Sequence, residues 1–400
     1  MSRKYALVIG GGLCGKGPEP RCSLDDGGVG VAIFQGLEAH VRTHRPDGWE
    51  LPKGRATRMA DTQSHIVTKA DLQEFLSIDP SVKGARVLVL AVSAPLLNEG
   101  PQLEEVYASV RRGPEGRKGT FLVLVDREAA ESGNSLHSQY VEALHLLKKT
   151  SANLVLSGDG DRWMVVAPEE ARYHVGPFKD ALDGLVQMIH ARAEATFTRS
   201  TVVGTEADLV RLDDPRVPGN LREVVEHCIE AGAYKTFRGV TAGHFAIKLG
   251  EGRFLTSIRK RDFNRHREEP ILVEVEAEGL ERVVAHGARP SVGGQSQRIV
   301  FDEHPGTDSI VHFHSPLRPN APDAINFRDQ RLAECGSHQC GANTSAGLRE
   351  HVGGSGRVKA VMRDNHGPNI VFGRETPAAE VIAFIERNFD LSQKTGGLGT

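Results

Sequence analysis

Ile310-Val311-His312-Phe313-His314-Ser315-Pro316 closes an apolar run on two imidazoles two residues apart and then stops it with Ser-Pro. Side chains at i and i+2 of a β-strand leave the same face, so this spacing predicts that His312 and His314 converge on one point. Another imidazole, His366, stands in Arg363-Asp364-Asn365-His366-Gly367, just ahead of the apolar run Ile370-Val371-Phe372. Three neutral imidazoles suit a divalent transition ion, and three protein ligands with one open position is the arrangement of a catalytic rather than a structural zinc site. Taken alone, a His-x-His pair is more often two satisfied polar residues than a metal site. The strand-like run before it and the Ser-Pro after it favour the metal, and the second half of the chain reads as a metalloenzyme domain.

Outward from this stretch, the two halves differ in pattern. In the first, Tyr5 to Ile9, Val87 to Val92, Phe121 to Val125 and Leu154 to Leu156 are short Val- and Leu-rich runs, the signature of strands buried on both faces of a parallel sheet. Helical spacing of apolar residues falls between and after them, over Leu103 to Arg111, Ser135 to Lys149 and Lys179 to Ala193, which is α/β order. Polar and turn-prone residues from Thr196 to Gly204 and the breaker Asp213-Asp-Pro-Arg-Val-Pro-Gly place a boundary near residue 200. Beyond it, Leu221 to Ala233 reads as a first helix. Thr376 to Phe389 reads as the last, with Thr376 as N-cap and Pro377 at the first helical position. The expected organisation is therefore residues 1–200, residues 201–394 and a flexible glycine-rich tail, 395–400.

Composition narrows the partners. The chain has 400 residues, 39% of them hydrophobic, and a formal net charge of -3, with mean hydropathy -0.32 and a pI near 6.6. That is an ordinary globular composition with no global basic field to hold nucleic acid or an anionic membrane, so a small-molecule substrate is expected. No apolar run approaches the roughly 20 residues that span a bilayer, and the amino terminus lacks a secretory h-region, so a cytoplasmic location is expected. Five cysteines (Cys14, Cys22, Cys228, Cys335 and Cys340) are an odd, scattered set, which argues against a disulfide framework.

Several ordered pieces of the second half resemble the class II aldolase/adducin family: Thr241-Ala-Gly-His-Phe-Ala-Ile-Lys, Phe254-Leu-Thr-Ser, Arg289-Pro-Ser, Val311-His-Phe-His-Ser-Pro, and Asn365-His-Gly with Gly373 and Glu380 behind it. The resemblance runs from about residue 217 to 390. It implies an α/β/α sandwich around a mainly antiparallel sheet, and a divalent ion, zinc first with manganese or iron as alternatives, held by His312, His314 and His366. It also implies a homo-oligomer, commonly a fourfold ring, with the ion at the subunit interface. The turn around Thr241 and Gly243, the Thr256-Ser257 pair and Ser291 stand where the family binds substrate phosphate. Gly243 would let the backbone approach an anion, and the hydroxyls would donate to it. Arg259, the basic residue nearest the hydroxyl pair, is the candidate for a phosphate or carboxylate contact, although a solvated charged loop is the simpler account of Arg259-Lys260-Arg261.

Two departures matter. Where the family has a glutamate nineteen residues before its first metal histidine, this chain has Gly293, and all five tyrosines precede the core of the metal domain. The segment Glu334-Cys335-Gly-Ser-His338-Gln-Cys340 is dense in reactive side chains and offers Glu334 or His338 as general acid or base. A tightly turned connector is the equal alternative. Asp364 and Asn365 flank His366 as groups that would orient its ring.

The first half carries Gly10, Gly12 and Gly15 after a strand, glycines that suit a phosphate cradle at a helix N-terminus. However, Pro18 and Pro20 follow where that helix should run, and Gly-Lys-Ser/Thr is absent. Pro18-Glu-Pro-Arg, Gly27-Gly-Val-Gly-Val-Ala-Ile and Ala91-Val-Ser-Ala-Pro resemble the phosphopantothenoylcysteine synthetase family, implying a Rossmann-like three-layer domain; Asp25 and Asp26 stand where that family has paired serines. The expectation is thus a metal-dependent lyase, of aldolase or decarboxylase type, acting on a small phosphorylated or carboxylated hydroxycarbonyl compound through a metal-stabilised enediolate. The alternatives are a non-catalytic adducin-like scaffold and a bifunctional enzyme with a nucleotide- or phosphate-binding first half.

Overall fold

The computed structural model describes residues 5–9, 36, 39, 57–58, 87–93, 118–127, 136–150, 152–159, 162–167, 173–237, 239–279, 281–321, 333–350, 356–363 and 367–392. The helix expected over Leu103 to Arg111, the glycines Gly10, Gly12 and Gly15, the segment Asp364 to His366 and the tail 395–400 lie outside them. The chain divides into two compact units, one of residues 1–168 with 173–194 and the other of 169–172 with 195–400.

The first unit holds a sheet ordered β2-β1-β3-β4-β5-β6-β7: β1 (Tyr5–Ile9), β2 (Thr57–Arg58), β3 (Val87–Ser93), β4 (Lys118–Arg127), β5 (Leu154–Asp159), β6 (Arg162–Val166) and β7 (Tyr173–Gly176). Strands β1 to β5 pair in parallel, and β6 and β7 add antiparallel to the β5 edge. Leu154, Val155 and Leu156 are all buried, so the strand is covered on both faces, as its continuous apolar run requires. Helix α1 (Leu136–Thr150) buries Tyr140, Ala143, Leu144 and Leu147, and α2 (Phe178–Glu194) buries Ala181, Leu185, Met188 and Ile189. Both are single apolar stripes at helical spacing.

In the second unit the sheet order is β16-β17-β15-β11-β12-β13-β14-β8. Its strands are β8 (Arg199–Val203), β11 (His244–Gly250), β12 (Arg253–Ser257), β13 (Leu272–Ala277), β14 (Arg282–His286), β15 (Ser309–His312), β16 (Val358–Arg363) and β17 (Gly367–Phe372); a separate short hairpin pairs β9 (Thr236–Phe237) with β10 (Val240–Thr241). All pairings in the large sheet are antiparallel except β8 with β14. The strand β8 corrects the turn expected over Thr196 to Gly204. It lies at the sheet edge with largely exposed side chains, so it shows no apolar alternation to read, while its β-branched Thr201, Val202 and Val203 suit a pleated backbone.

Two cores flank this sheet. One packs Phe245, Ile247, Val311, Phe313, Ile370 and Phe372 against α3 (Gly219–Glu230) and α7 (Ala378–Asn388). The other packs Ala246, Phe254, Val273, Ile310 and Val371 against Val300 and Phe301 of α5 (Arg298–Glu303) and Leu348 of α6 (His338–Glu350), with the short α4 (Val292–Ser296) preceding them. Among the described residues, six of the seven largest fully buried side chains (Tyr234, Phe245, Phe263, Phe313, Phe372 and Phe389) belong to the first core. Each contributes about 1.5–3 kcal/mol on burial, so the bulk of the aromatic stabilisation lies on the α3/α7 face. The opposite face carries smaller side chains. Helix α7 begins at Ala378 with Pro377 as its cap and no side-chain cap bond, one residue later than the Thr376 cap the sequence suggested. The Pro377 carbonyl accepts from the Glu380 and Val381 amides instead.

Candidate metal centre

Strand parity places the histidines. Ala246 and Ile310 face each other across β11 and β15 and belong to the second core. His244 and His312 lie two residues further along these strands and pair directly with each other. Both therefore project to the face covered by α4, α5 and α6. They stand at the end of the sheet where β12 finishes at Ser257 and β13 begins at Leu272. His314 follows two residues beyond His312.

The rings are close and withdrawn from solvent. His312 and His314 are 1% and 7% exposed, with ring centroids 5.0 Å apart and planes at 65°. His312 Nδ1 lies 2.7 Å from the carbonyl oxygen of Pro368 on β17. A carbonyl only accepts, so Nδ1 carries the proton and Nε2 presents its lone pair. This is the arrangement in which an imidazole binds a metal ion while a backbone oxygen fixes its tautomer and orientation. The donors present fit a divalent transition ion in chemistry. Among the described residues no group of three or more His, Cys, Asp or Glu side chains is arranged to hold one, and His366 lies outside those residues.

Backbone approaches fix the pocket. Gly367 has φ +143°, and a Cβ there would overlap the Phe313 carbonyl. Only glycine lets β17 start this close to the His312–His314 segment and present Pro368 to His312. At Gly243, with φ +109°, a Cβ would come within 2.6 Å of the His312 carbonyl and 2.8 Å of the Tyr234 ring. Tyr234 itself lies in the first core, edge-on to Phe263 at 5.3 Å, and burial holds its phenol well above the usual range. It stands on the face opposite the imidazoles.

The proposed anion-binding residues separate into two groups. Segments 257–259 and 289–291 run side by side, the Ser291 amide donating to the Ser257 carbonyl at 2.8 Å and the Arg259 amide to the Arg289 carbonyl at 3.0 Å. Ser257, Ser291 and Arg259 are thereby brought together, just before the turn into α4. The Arg259 side chain is exposed. Ser257 is fully buried, and its hydroxyl has no hydrogen-bond partner among the described residues. Thr256 and Thr241 are engaged locally. The Thr256 hydroxyl donates to the Phe245 carbonyl at 3.3 Å and is packed against Gly294. The Thr241 hydroxyl donates to the Arg261 carbonyl and accepts from the Phe263 amide.

The Glu334–His338 segment caps α6. The Ser337 hydroxyl accepts from the Cys340 amide at 3.0 Å and donates to the Glu334 carbonyl at 2.6 Å, an N-cap arrangement. Gly336 packs on Val292, the first residue of α4, which brings the loop beside the helix that faces His244. His338 takes another direction. Its Nε2 lies 2.9 Å from the Thr198 hydroxyl, and its amide donates to the Thr196 carbonyl. Burial lowers its pKa, Arg298 adds to the lowering and Glu281 opposes it. Glu281 belongs to the turn between β13 and β14, the end of the sheet opposite the imidazoles.

Sequence reading missed His244. It is 3% exposed, its ring centroid is 4.8 Å from that of His312, and a Cβ at Gly293 would lie 2.5 Å from its Nδ1. Only the pairing of β11 with β15 puts it there.

Comparison with protein-family models finds no match, and comparison with curated proteins finds none either. Among solved structures, the chain is similar to an L-fuculose 1-phosphate aldolase at 14% sequence identity and a TM-score of 0.30, over 41% of this chain and 80% of that one. A likeness at that level establishes neither fold nor activity, and the site has to be judged by its own geometry. Among the described residues no helix is long and apolar enough to cross a membrane.

Proposed function

We propose that the second unit is a metal-dependent lyase domain of the class II aldolase type, acting on a small phosphorylated or carboxylated hydroxycarbonyl compound. His312, His314 and His366 would hold the divalent ion, with zinc the first choice. The observation that carries this reading is the hydrogen bond from His312 Nδ1 to the Pro368 carbonyl at 2.7 Å. It fixes the tautomer of a buried imidazole whose ring lies 5.0 Å from that of His314. A divalent ion bound there would polarise a substrate carbonyl and stabilise the negative charge that develops when the adjacent bond breaks.

The chain's own groups supply the rest. Ser257, whose buried hydroxyl has a hydrogen bond to give, Ser291 and Arg259 receive the substrate's phosphate or carboxylate. Thr241 and Gly243 belong to the turn proposed to bind the same anion. Glu334, in the loop whose Gly336 packs on Val292 of α4, is the proposed proton carrier. His338 is tied to Thr198 through its ring and to Thr196 through its amide.

The test uses the purified full-length chain. Elemental analysis is expected to find about one zinc-like ion per chain. Cleavage of a panel of small hydroxycarbonyl phosphates and hydroxy acids should stop on chelation and return with metal. Glu334→Gln should retain metal and lose turnover. A folded chain that takes up no ion contradicts the proposal.

A further inference from the structure

We infer that Arg259 and Arg289, with Lys260 beside them, form the charged half of an anion site that takes a phosphoryl group in preference to a carboxylate. This rests on the reading above in taking the anion to be the substrate's, but the site contains no metal and is tested without one. Neither Arg289 nor Lys260 has a role in that reading.

Strand pairing sets the two arginines against each other. Ile258 and Pro290 form an antiparallel bridge, flanked by the bond from the Arg259 amide to the Arg289 carbonyl and the bond from the Ser291 amide to the Ser257 carbonyl. Arg259 is therefore directly opposite Arg289, and Ser257 opposite Ser291. Alternate residues of an extended segment leave the same face, so these four side chains share one side of the bridge while Ile258 turns into the second core. Like charges directly opposed across paired strands are destabilising. Nearby basic side chains are neutralised within the fold: Arg261 meets Glu269 at 3.3 Å, Arg265 meets Glu268 at 3.0 Å and Arg267 meets Glu230 at 3.2 Å. Arg259, Lys260 and Arg289 are exposed, and among the described residues no carboxylate lies within ion-pair distance of any of them.

Two further observations point to a ligand. Ser257, on the same face as Arg259, is fully buried, and its hydroxyl has no hydrogen-bond partner among the described residues; such a group costs free energy unless something accepts its proton. Lys260 has φ +59°, a left-handed conformation that is uncommon for a long side chain and that recurs at ligand sites. The other described non-glycine residue with positive φ is Asn320, a type that tolerates it. Two guanidinium forks, an ammonium and a hydroxyl offer more than the two oxygens and single charge of a carboxylate can use. A phosphoryl group brings three acceptor oxygens and a charge of about -1.5 to -2.

Isothermal titration of the chelator-treated full-length chain with inorganic phosphate and with acetate tests the inference. Acetate should bind at least about 10-fold more weakly than phosphate. Arg259→Gln and Arg289→Gln should each weaken phosphate by about 10-fold, on the scale of one charge-assisted hydrogen bond. Arg289→Lys should recover part of that loss, because it returns the charge without the fork. Lys260→Gly keeps the turn and removes only the ammonium, so its effect should be smaller. Arg267→Gln, at a side chain already paired with Glu230, should bind phosphate as the wild type does, and thermal melts of all four exposed positions should show folded protein. Acetate binding as tightly as phosphate, equal phosphate affinity in Arg289→Gln and Arg267→Gln, or no saturable phosphate binding by the wild type overturns the inference and leaves the lyase reading to its own test of metal uptake and turnover. Phosphate binding that depends on Arg289 in a chain that takes up no ion upholds the anion site while the lyase reading falls.

Discussion

His312 lies on the sheet face covered by α4, α5 and α6, and His338 opens α6; the two imidazoles are held in different ways. His312 gives its Nδ1 proton to a backbone carbonyl at 2.7 Å, and its ring lies within 5.0 Å of two other imidazoles. His338 spends its Nε2 on a threonine hydroxyl at 2.9 Å and fastens the start of α6 to the segment leading into an edge strand. An imidazole is made a ligand by what holds its other nitrogen, more than by its place among reactive residues in the sequence.

The sharpest way to break this comparison is to exchange the two residues' fates. His312→Ala should lower metal affinity by about 100-fold or more, the upper range for losing a supporting group being a floor for losing a ligand. His338→Gln, which preserves a polar partner for Thr198, should leave affinity within error. Isothermal titration with zinc decides it, and equal losses in the two variants would erase the distinction.

Gly367→Ala comes next. The alanine inherits φ +143° and a clash with the Phe313 carbonyl, so a loss of about 1–3 kcal/mol from backbone strain is expected, with overpacking adding to it. Because the same step carries Pro368 away from His312, zinc affinity should fall together with the denaturation midpoint. A stability loss with unchanged affinity would show that the carbonyl does not position the ring.

How much of this was legible differs by element. The apolar runs of β1, β3 and β5 and the stripe of α2 were readable because burial on both faces, or on one helical face, imposes a period that a single chain reveals. The edge strand β8 was not, since its exposed residues obey no such period. His312 and His314 could be paired from i, i+2 spacing alone. His244 could not, because its position depends on the register between β11 and β15, separated by more than sixty residues in the chain, and nothing local encodes that register. Ser337 caps α6 through the local Cys340 amide, whereas the contact of His338 with Thr198 is a tertiary one that no local pattern encodes.

Smaller effects sharpen the picture. Burial lowers the pKa of both His338 and His304, so the folded chain resists their protonation more than the unfolded chain does. Their contribution to stability is complete above the ordinary histidine pKa near 6.5 and is lost as pH falls below it. Melting temperature should decline below about pH 6.5, and His338→Gln should flatten part of that slope; an unchanged profile would mean that His338 does not report on folding. Smallest of all, Ser257→Ala removes a buried hydroxyl that makes no hydrogen bond among the described residues, so stability should hold or rise slightly. Weaker binding of inorganic phosphate by this variant would place the hydroxyl at the substrate anion.

The most direct test of the central claim is nitrogen NMR of the imidazoles in histidine-labelled, metal-free protein, with His312 assigned by its variant, before and after zinc is added. The predicted result is a His312 ring protonated at Nδ1 from the outset, whose Nε2 resonance shifts on zinc binding while the proton shared with Pro368 persists. A ring protonated at Nε2, and unmoved by zinc, would contradict it.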